Sequence, residues 1–546
     1  MAYRPGLAAS ELAETQRVRL IAIIAGLVVA ALLLGPLAGS LVVAGHTLFV
    51  VFLSALALPV IFWKLPASPV VFLMAAATSV ERLSDPAPDA LTARIPLFRS
   101  LSETYHVSGA GVLLPVEMVL GVALLVWIAR AIAERRLTVR ASHLGVSLAL
   151  VAAAALVAEA VGLARNGDFH ISIWELRPFL YLWLAYVLGS QLLTARGALQ
   201  AVLWGMVIGV GLKALEGTER VITLRNVSPR PDAILEHEES VFFSCFIVLT
   251  LALWVFGMRG RLRRVATLLL PLVIVADLGN NRRVAWVMLP VMLLAFAVIA
   301  YQRMPERRKT IAVVAGGLLL FASGYVAVFK DSGSLVALPA HAIWSQFRPD
   351  PRDASSNQYR RIENINLGLD IRHSPVTGEG FGVPIAHPIP VFDASDLDPL
   401  INFIPHNNIL YVWLRLGVAG MLAFWFMVGA AVVAACRLSR HPDTFLALFG
   451  VLALVAVISW LFEGWYDKGI VSFRVVFFVG CLLGSLGAAL RLAGTARPPD
   501  AAEPAIEVVV GREEKVSPAA GRSAQREPVL RPVPPVLSPR RAPGSV

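Results

Sequence analysis

Runs of apolar residues long enough to cross a membrane recur from Leu20 to Leu490, and nothing else in the sequence limits the fold so sharply. A hydrocarbon layer of about 30 Å needs about 20 such residues in a helix. Within that layer every backbone N–H and C=O must be paired, so only helices or a closed barrel can span it. The alternation of apolar and polar residues that marks a barrel strand is missing, which leaves helices. With 57% hydrophobic and 16% charged residues over 546 positions, a soluble protein with a large core is excluded. The expected fold is all-α, a polytopic integral membrane helical bundle of about 12–14 transmembrane helices.

Hydropathy puts the spans near 20–36, 40–62, 67–80, 110–130, 143–163, 176–194, 197–215, 240–258, 265–280, 284–301, 310–329, 406–435, 444–462 and 469–491. With the N-terminus inside, the stretches Arg130–Arg140, Arg259–Arg264, Arg303–Lys309 and Arg437–Arg440 become cytoplasmic, all basic with few acids. The opposite loops hold Asp85, Asp89, Glu103, Asp168, Glu216, Glu219, Glu236, Glu238 and Glu239. This is the positive-inside asymmetry. It divides the chain into a cytoplasmic N-terminus (1–19), about eleven spans (20–329), a large extracytoplasmic loop (330–405), three last spans (406–491) and a cytoplasmic tail (492–546). The tail is rich in Pro, Ala and Arg, a composition that predicts disorder.

Three other readings of the bulk sequence close off alternatives. Ala38-Gly39-Ser40 resembles a signal-peptide cleavage site, but apolar sequence continues to Trp63, so a retained first span is expected. The net charge of +11 sits in short clusters between spans, which points to the lipid bilayer and not to nucleic acid as partner. Cys245, Cys436 and Cys481 lie far apart in apolar segments without metal or disulfide spacing.

The segment Lys330–Pro405 breaks the apolar pattern. Asn357–His373 carries Tyr359, Ile362, Ile365 and Leu369 at helical spacing and predicts an amphipathic helix with Arg361 near its start. Ser374-Pro375 stops it, and Gly378-Glu379-Gly380-Phe381-Gly382 predicts a tight turn. After Asp393, Asp396 and Asp398 the segment closes on Ile404-Pro405-His406-Asn407-Asn408, which runs into an apolar helix containing Leu416-Gly417-Val418-Ala419-Gly420. No lysine and hydroxyl residue follow the glycines in a strand-turn-helix setting, so they are not a nucleotide loop.

This order of pieces resembles the O-antigen ligase and O-antigen polymerase superfamily of bacterial integral-membrane glycan transferases. The likeness rests on Arg361-Ile362, on His373 to Gly382, on His406-Asn407-Asn408-Ile409-Leu410 and on Leu416 to Gly420. One extra residue separates His373 from Pro375, and Glu379 stands where an apolar residue is usual. The resemblance implies a metal-independent glycosyltransferase without cofactor, in the bacterial cytoplasmic membrane with both termini inside. It would move a glycan from a polyprenyl-diphosphate donor to a hydroxyl on a glycan, lipid or protein acceptor, in cell-surface polysaccharide assembly.

Candidate residues follow. An imidazole can take up a proton near neutrality, and His406 stands where a wet loop meets the bundle. In the superfamily the histidine of this motif is the proposed base; capping the following helix is the plain alternative. Arg282 and Arg283 lie between apolar runs, where a guanidinium either grips diphosphate oxygens or snorkels to headgroups. By the resemblance Arg283 is the better match. Arg361 is a further diphosphate candidate, as is either Arg220 or Arg225, since superfamily members carry a phosphate-contacting arginine in such a loop. Arg177, next to Glu175 at the start of a span, and Asp467, near Glu463, are supporting candidates. His237, His341, His373 and His387 show no metal-ligand spacing. A transporter or flippase of lipid-linked precursors, or an envelope scaffold, remain as readings from other classes.

Overall fold

The computed structural model describes residues 57–81, 92, 95–100, 113–134, 142–227, 233–332, 334–392 and 400–495. The N-terminal segment, the first expected span, most of the second, Asp393 to Asp398 and the tail beyond Thr495 lie outside the described residues. Those described are all helix, turn and loop, with no strand among them.

A short helix, Ala57–Lys64, bends by 116° into α1, Ser68–Ser79. Then come α2 (Pro115–Ala133), α3 (His143–Ala164), α4 (Phe169–Leu192), α5 (Arg196–Thr223), α6 (Glu239–Val255), α7 (Arg261–Asn280) and α8 (Arg283–Arg303). They are followed by α9 (Arg308–Phe329), α10 (Leu338–Trp344), α11 (Pro351–His373), α12 (Asn408–Ser439), α13 (Thr444–Tyr466) and α14 (Phe473–Thr495). Nine helices are long and apolar enough to cross a membrane among the described residues, or ten if the bent pair counts as one span. The protein is a polytopic helical membrane protein.

Local chemistry sets the helix starts. Ser142 accepts from Gly145 N–H at the head of α3, and Asp168 from His170 and Ile171 N–H at the head of α4. Asn407 does the same for Ile409 and Leu410 in α12, and Asp443 for Phe445 and Leu446 in α13. Each answers N–H groups that a first helical turn leaves unpaired. Asn281, at φ 49°, turns the chain sharply between α7 and α8.

Helices α13 and α14 form the centre, with α14 against α4, and α12 against α3 and α13. Gly189 and Gly484 meet where α4 crosses α14, so a Cβ on either would strike the other's backbone. Two buried cations are paired: Lys213 Nζ stands 3.1 Å from Glu81 and 2.7 Å from Glu216, and Arg474 holds Glu236 at 2.7 Å and Glu239 at 2.6 Å. At the other extreme, α9 has no buried residue and touches α8 and α10.

The Gly-rich turn is a structural clasp. Gly378, Gly380 and Gly382 all take positive φ, and Gly417 (φ 66°, ψ −173°) breaks α12 opposite them. Glu379 N–H donates to Leu414 O at 2.6 Å and Val418 N–H to Pro375 O at 3.1 Å, so the turn closes onto the break. Glu379 itself pairs with Arg165 of the α3 end at 2.6 Å, which explains a charge in a place where the superfamily carries an apolar residue. Gly417→Ala should cost about 1–3 kcal/mol, since this φ/ψ region is open to glycine alone and a Cβ would meet Val376 O and Gly378 N. A thermal unfolding midpoint equal to wild type in detergent would refute that.

Helix α11 begins earlier than expected, with Asp350 as its cap and Pro351 in its first turn. It also faces the other way. Ile365 is 44% exposed, whereas Glu363, Asn366 and Asp370 are buried beside Leu367 and Ile371.

Candidate active site

The end of the bundle where α7, α8, α12 and α13 meet α11 encloses a cavity of about 620 Å³. Each wall has a distinct chemistry. The corner between α7 and α8 gives Arg282 and Arg283, with Val284 and Val287 below them. Helix α11 gives Arg360, Arg361, Glu363 and Asn364; the head of α12 gives His406 and Asn407; the end of α13 gives Trp465, Tyr466 and Asp467. His237 reaches in from the loop between α5 and α6.

His406 is held by a carboxylate. Its Nδ1 lies 3.1 Å from Glu363 Oε1, and its backbone N–H donates to Glu363 Oε2 at 3.2 Å. Glu363 is buried, and the edge of the Tyr359 ring packs against the imidazole at 5.7 Å. A carboxylate at Nδ1 favours the tautomer with its proton there, so the lone pair falls on Nε2, which no described residue engages. Next to it Asn407 donates to Asn364 Oδ1 at 3.0 Å, a second tie between α11 and α12.

The arginines differ in state. Arg283 is paired with Asp353 of α11 at 3.0 Å, and Arg282 donates to Leu235 O at 3.2 Å. Arg360 and Arg361, neighbours on α11, are not hydrogen-bonded to any described residue, so their guanidinium forks face the cavity ready for an anion. Across from them Asp467 accepts from His237 Nδ1 at 2.8 Å. Burial pushes the Asp467 carboxyl up, but His237, with His406 and Arg360 behind it, outweighs that and holds it below the usual carboxylate range.

The loop that delivers His237 is clamped. Arg220 donates to Ile234 O, Asn280 bonds both Leu235 N–H and Glu236 O, and Arg282 takes Leu235 O. Glu81 accepts from Glu236 N–H, while Arg474 holds the Glu236 side chain.

Of the residues expected from sequence, the cavity brings together His406, Arg282, Arg283, Arg361 and Asp467. It does not include the other arginines. Arg220 is buried in α5 as a loop anchor, and Arg225 is exposed on the turn after α5. Arg177 is buried in α4, paired with Glu117 at 2.8 Å and stacked over Trp174. Sequence reasoning missed Arg360, Glu363, Asn364 and His237. Arg360, Glu363 and Asn364 recur at helical spacing along α11, a signal that could have been read; His237 offers none.

At one end of this polytopic helical bundle, a carboxylate-held imidazole and a bank of arginines share one polar cavity, a combination whose chemistry suits an anionic substrate. Residues 266–425 match the family model described as O-antigen ligase, a match that supports the O-antigen ligase superfamily. The matched stretch runs from α7 through α11 into α12, and so contains His406, Glu363 and the arginines that line the cavity. No curated protein matches the chain. The family is one of glycan ligases and polymerases, which supports a glycosyltransferase-type enzyme in polysaccharide biosynthesis.

Proposed function

We propose that the cavity transfers a glycan from a polyprenyl-diphosphate donor to a hydroxyl acceptor at the outer face of the bacterial cytoplasmic membrane. The observation that carries this is His406 Nδ1 on Glu363 with Nε2 left unengaged, in one cavity with Arg360 and Arg361. In the proposed step, Nε2 takes the proton of the acceptor hydroxyl as its oxygen attacks the anomeric carbon. The bond from that carbon to the diphosphate oxygen breaks, and the diphosphate leaves with the electron pair. Arg282, Arg283, Arg360 and Arg361 offset the charge that develops there. Arg283 would exchange Asp353 for a phosphate oxygen.

The outward placement is supported by the connections at the opposite end of the helices. The basic residues after α6, between α8 and α9 and between α12 and α13 fit a cytoplasmic surface, with both termini inside.

The deciding experiment uses vesicles holding the purified protein, a lipid-diphosphate glycan and an acceptor, with no nucleotide sugar. Formation of a glycosidic bond is the expected result. Movement of the lipid between leaflets without bond formation would favour the transporter or flippase reading instead. Glycans from a deletion strain separate the two enzyme types, since a ligase loses chain attachment and a polymerase loses chain length.

Glu363→Gln should lower transfer about tenfold to a hundredfold, because the amide presents a weaker and differently arranged partner to Nδ1. Unchanged kcat in this variant would show that Glu363 does not position the base.

A further inference from the structure

We propose that His237, Glu463 and Asp467 form a divalent-cation site in the cavity wall, suited to a transition ion such as Mn2+. One ligand atom from each of the three lies within 4.8 Å of the others, although a loop and the end of a distant helix supply them. His237 Nδ1 and Asp467 Oδ2 are 2.8 Å apart. Two ligand atoms bound at about 2.0–2.2 Å to one metal stand about 3 Å from each other at a right angle, so this pair already has the spacing of adjacent ligands.

Glu463 carries the stronger argument. It sits one turn before Asp467 on α13, is 1% exposed, and its Oε2 has no hydrogen-bond partner among the described residues. A buried carboxylate oxygen without a donor is costly on its own. A cation at the point where the three ligand atoms converge removes that cost.

Two carboxylates and one imidazole suit Mn2+, Zn2+ or Fe2+, whereas Mg2+ and Ca2+ favour sets of oxygen alone. His237 is half-exposed on the cavity side, so the ion's remaining positions face the cavity, open to water or phosphate oxygens. Arg282 and Arg360 line the same cavity and compete for the carboxylates, which keeps the affinity below that of a closed structural zinc site. The clamp on Ile234 to Glu236 sets the position of the His237 backbone before any ion arrives.

The test follows the EPR signal of free Mn2+ as it is titrated into the full-length protein, purified in detergent with any affinity tag removed. One Mn2+ held per chain is expected, and Glu463→Gln and Asp467→Asn should each weaken it at least about tenfold. His237→Ala, a change in a half-exposed loop side chain whose backbone is anchored independently, should do the same and covers the case in which a helix variant misfolds. No stoichiometric binding by the wild type, or equal affinity in the variants that keep the wild-type elution volume, would overturn the proposal. Transfer is not measured, so the outcome is independent of whether His406 acts as a base.

Discussion

Alanine in place of His406 is expected to lower glycan transfer by at least about a hundredfold, the scale on which a positioned general base acts. The side chain is part-exposed toward the cavity and touches Glu363 and the Tyr359 ring edge, so its loss removes little packing. Expression, membrane insertion and thermal unfolding should therefore stay near wild type. A structural role would give the reverse pattern, with stability lost first and residual activity scaling with folded protein. Transfer by the alanine variant at the wild-type rate would leave the proposed mechanism without its proton acceptor.

Arg415→Leu should be the most damaging change to the fold. This guanidinium is buried in α12, 2.8 Å from Glu175, and donates to Gly380 O, Val383 O and Phe403 O. Glu175 in turn accepts from Gly382 N–H and Tyr411 Oη. Removing the arginine leaves the buried Glu175 carboxylate without its counter-charge and takes a donor from each of those carbonyls, a loss of about 3–5 kcal/mol for breaking a buried pair. The double variant Arg415→Met with Glu175→Gln should recover part of it, because neither charge is then stranded. The check is the thermal unfolding midpoint of the purified variants, and a double variant no more stable than the single one would show that the carbonyl contacts, not the ion pair, dominate.

Much of the helical order was legible because hydropathy alone carries it. From α2 onward the expected spans overlap the observed helices, and the chain ends of α12 and α13 follow Asn407 and Asp443, side chains whose capping role is local. The order of Arg361, the glycine turn and His406 was readable for the same reason, since it lies in one continuous stretch. What depended on distant parts of the chain was not. The apolar stripe Tyr359, Ile362, Ile365 and Leu369 suggested the buried face of α11, yet the helix turns Glu363 and Asn366 inward. Glu363, Asn366 and Asp370 meet His406 and the backbone of Ile389 and Ala386, partners from distant parts of the chain, and Leu367 and Ile371 share that face. Arg220 and Arg225 could not be told apart in sequence because their neighbours gave no motif, and the structure assigns Arg220 to backbone support. His237 and Asp467 are brought together only by the packing of α13 against the clamped loop.

That loop has a consequence for anyone handling the protein. Ile234, Leu235 and Glu236 act as a keystone, since groups from α5, α7, the α7–α8 corner and the stretch just after α1 close on this short piece of backbone while Arg474 of α14 holds the Glu236 side chain. Spreading of any of those supports, as in a harsh detergent, would carry His237 from the wall without the loss of a helix. A preparation would then keep its full circular-dichroism signal while the cavity had lost one wall, so helix content alone is no measure of an intact site.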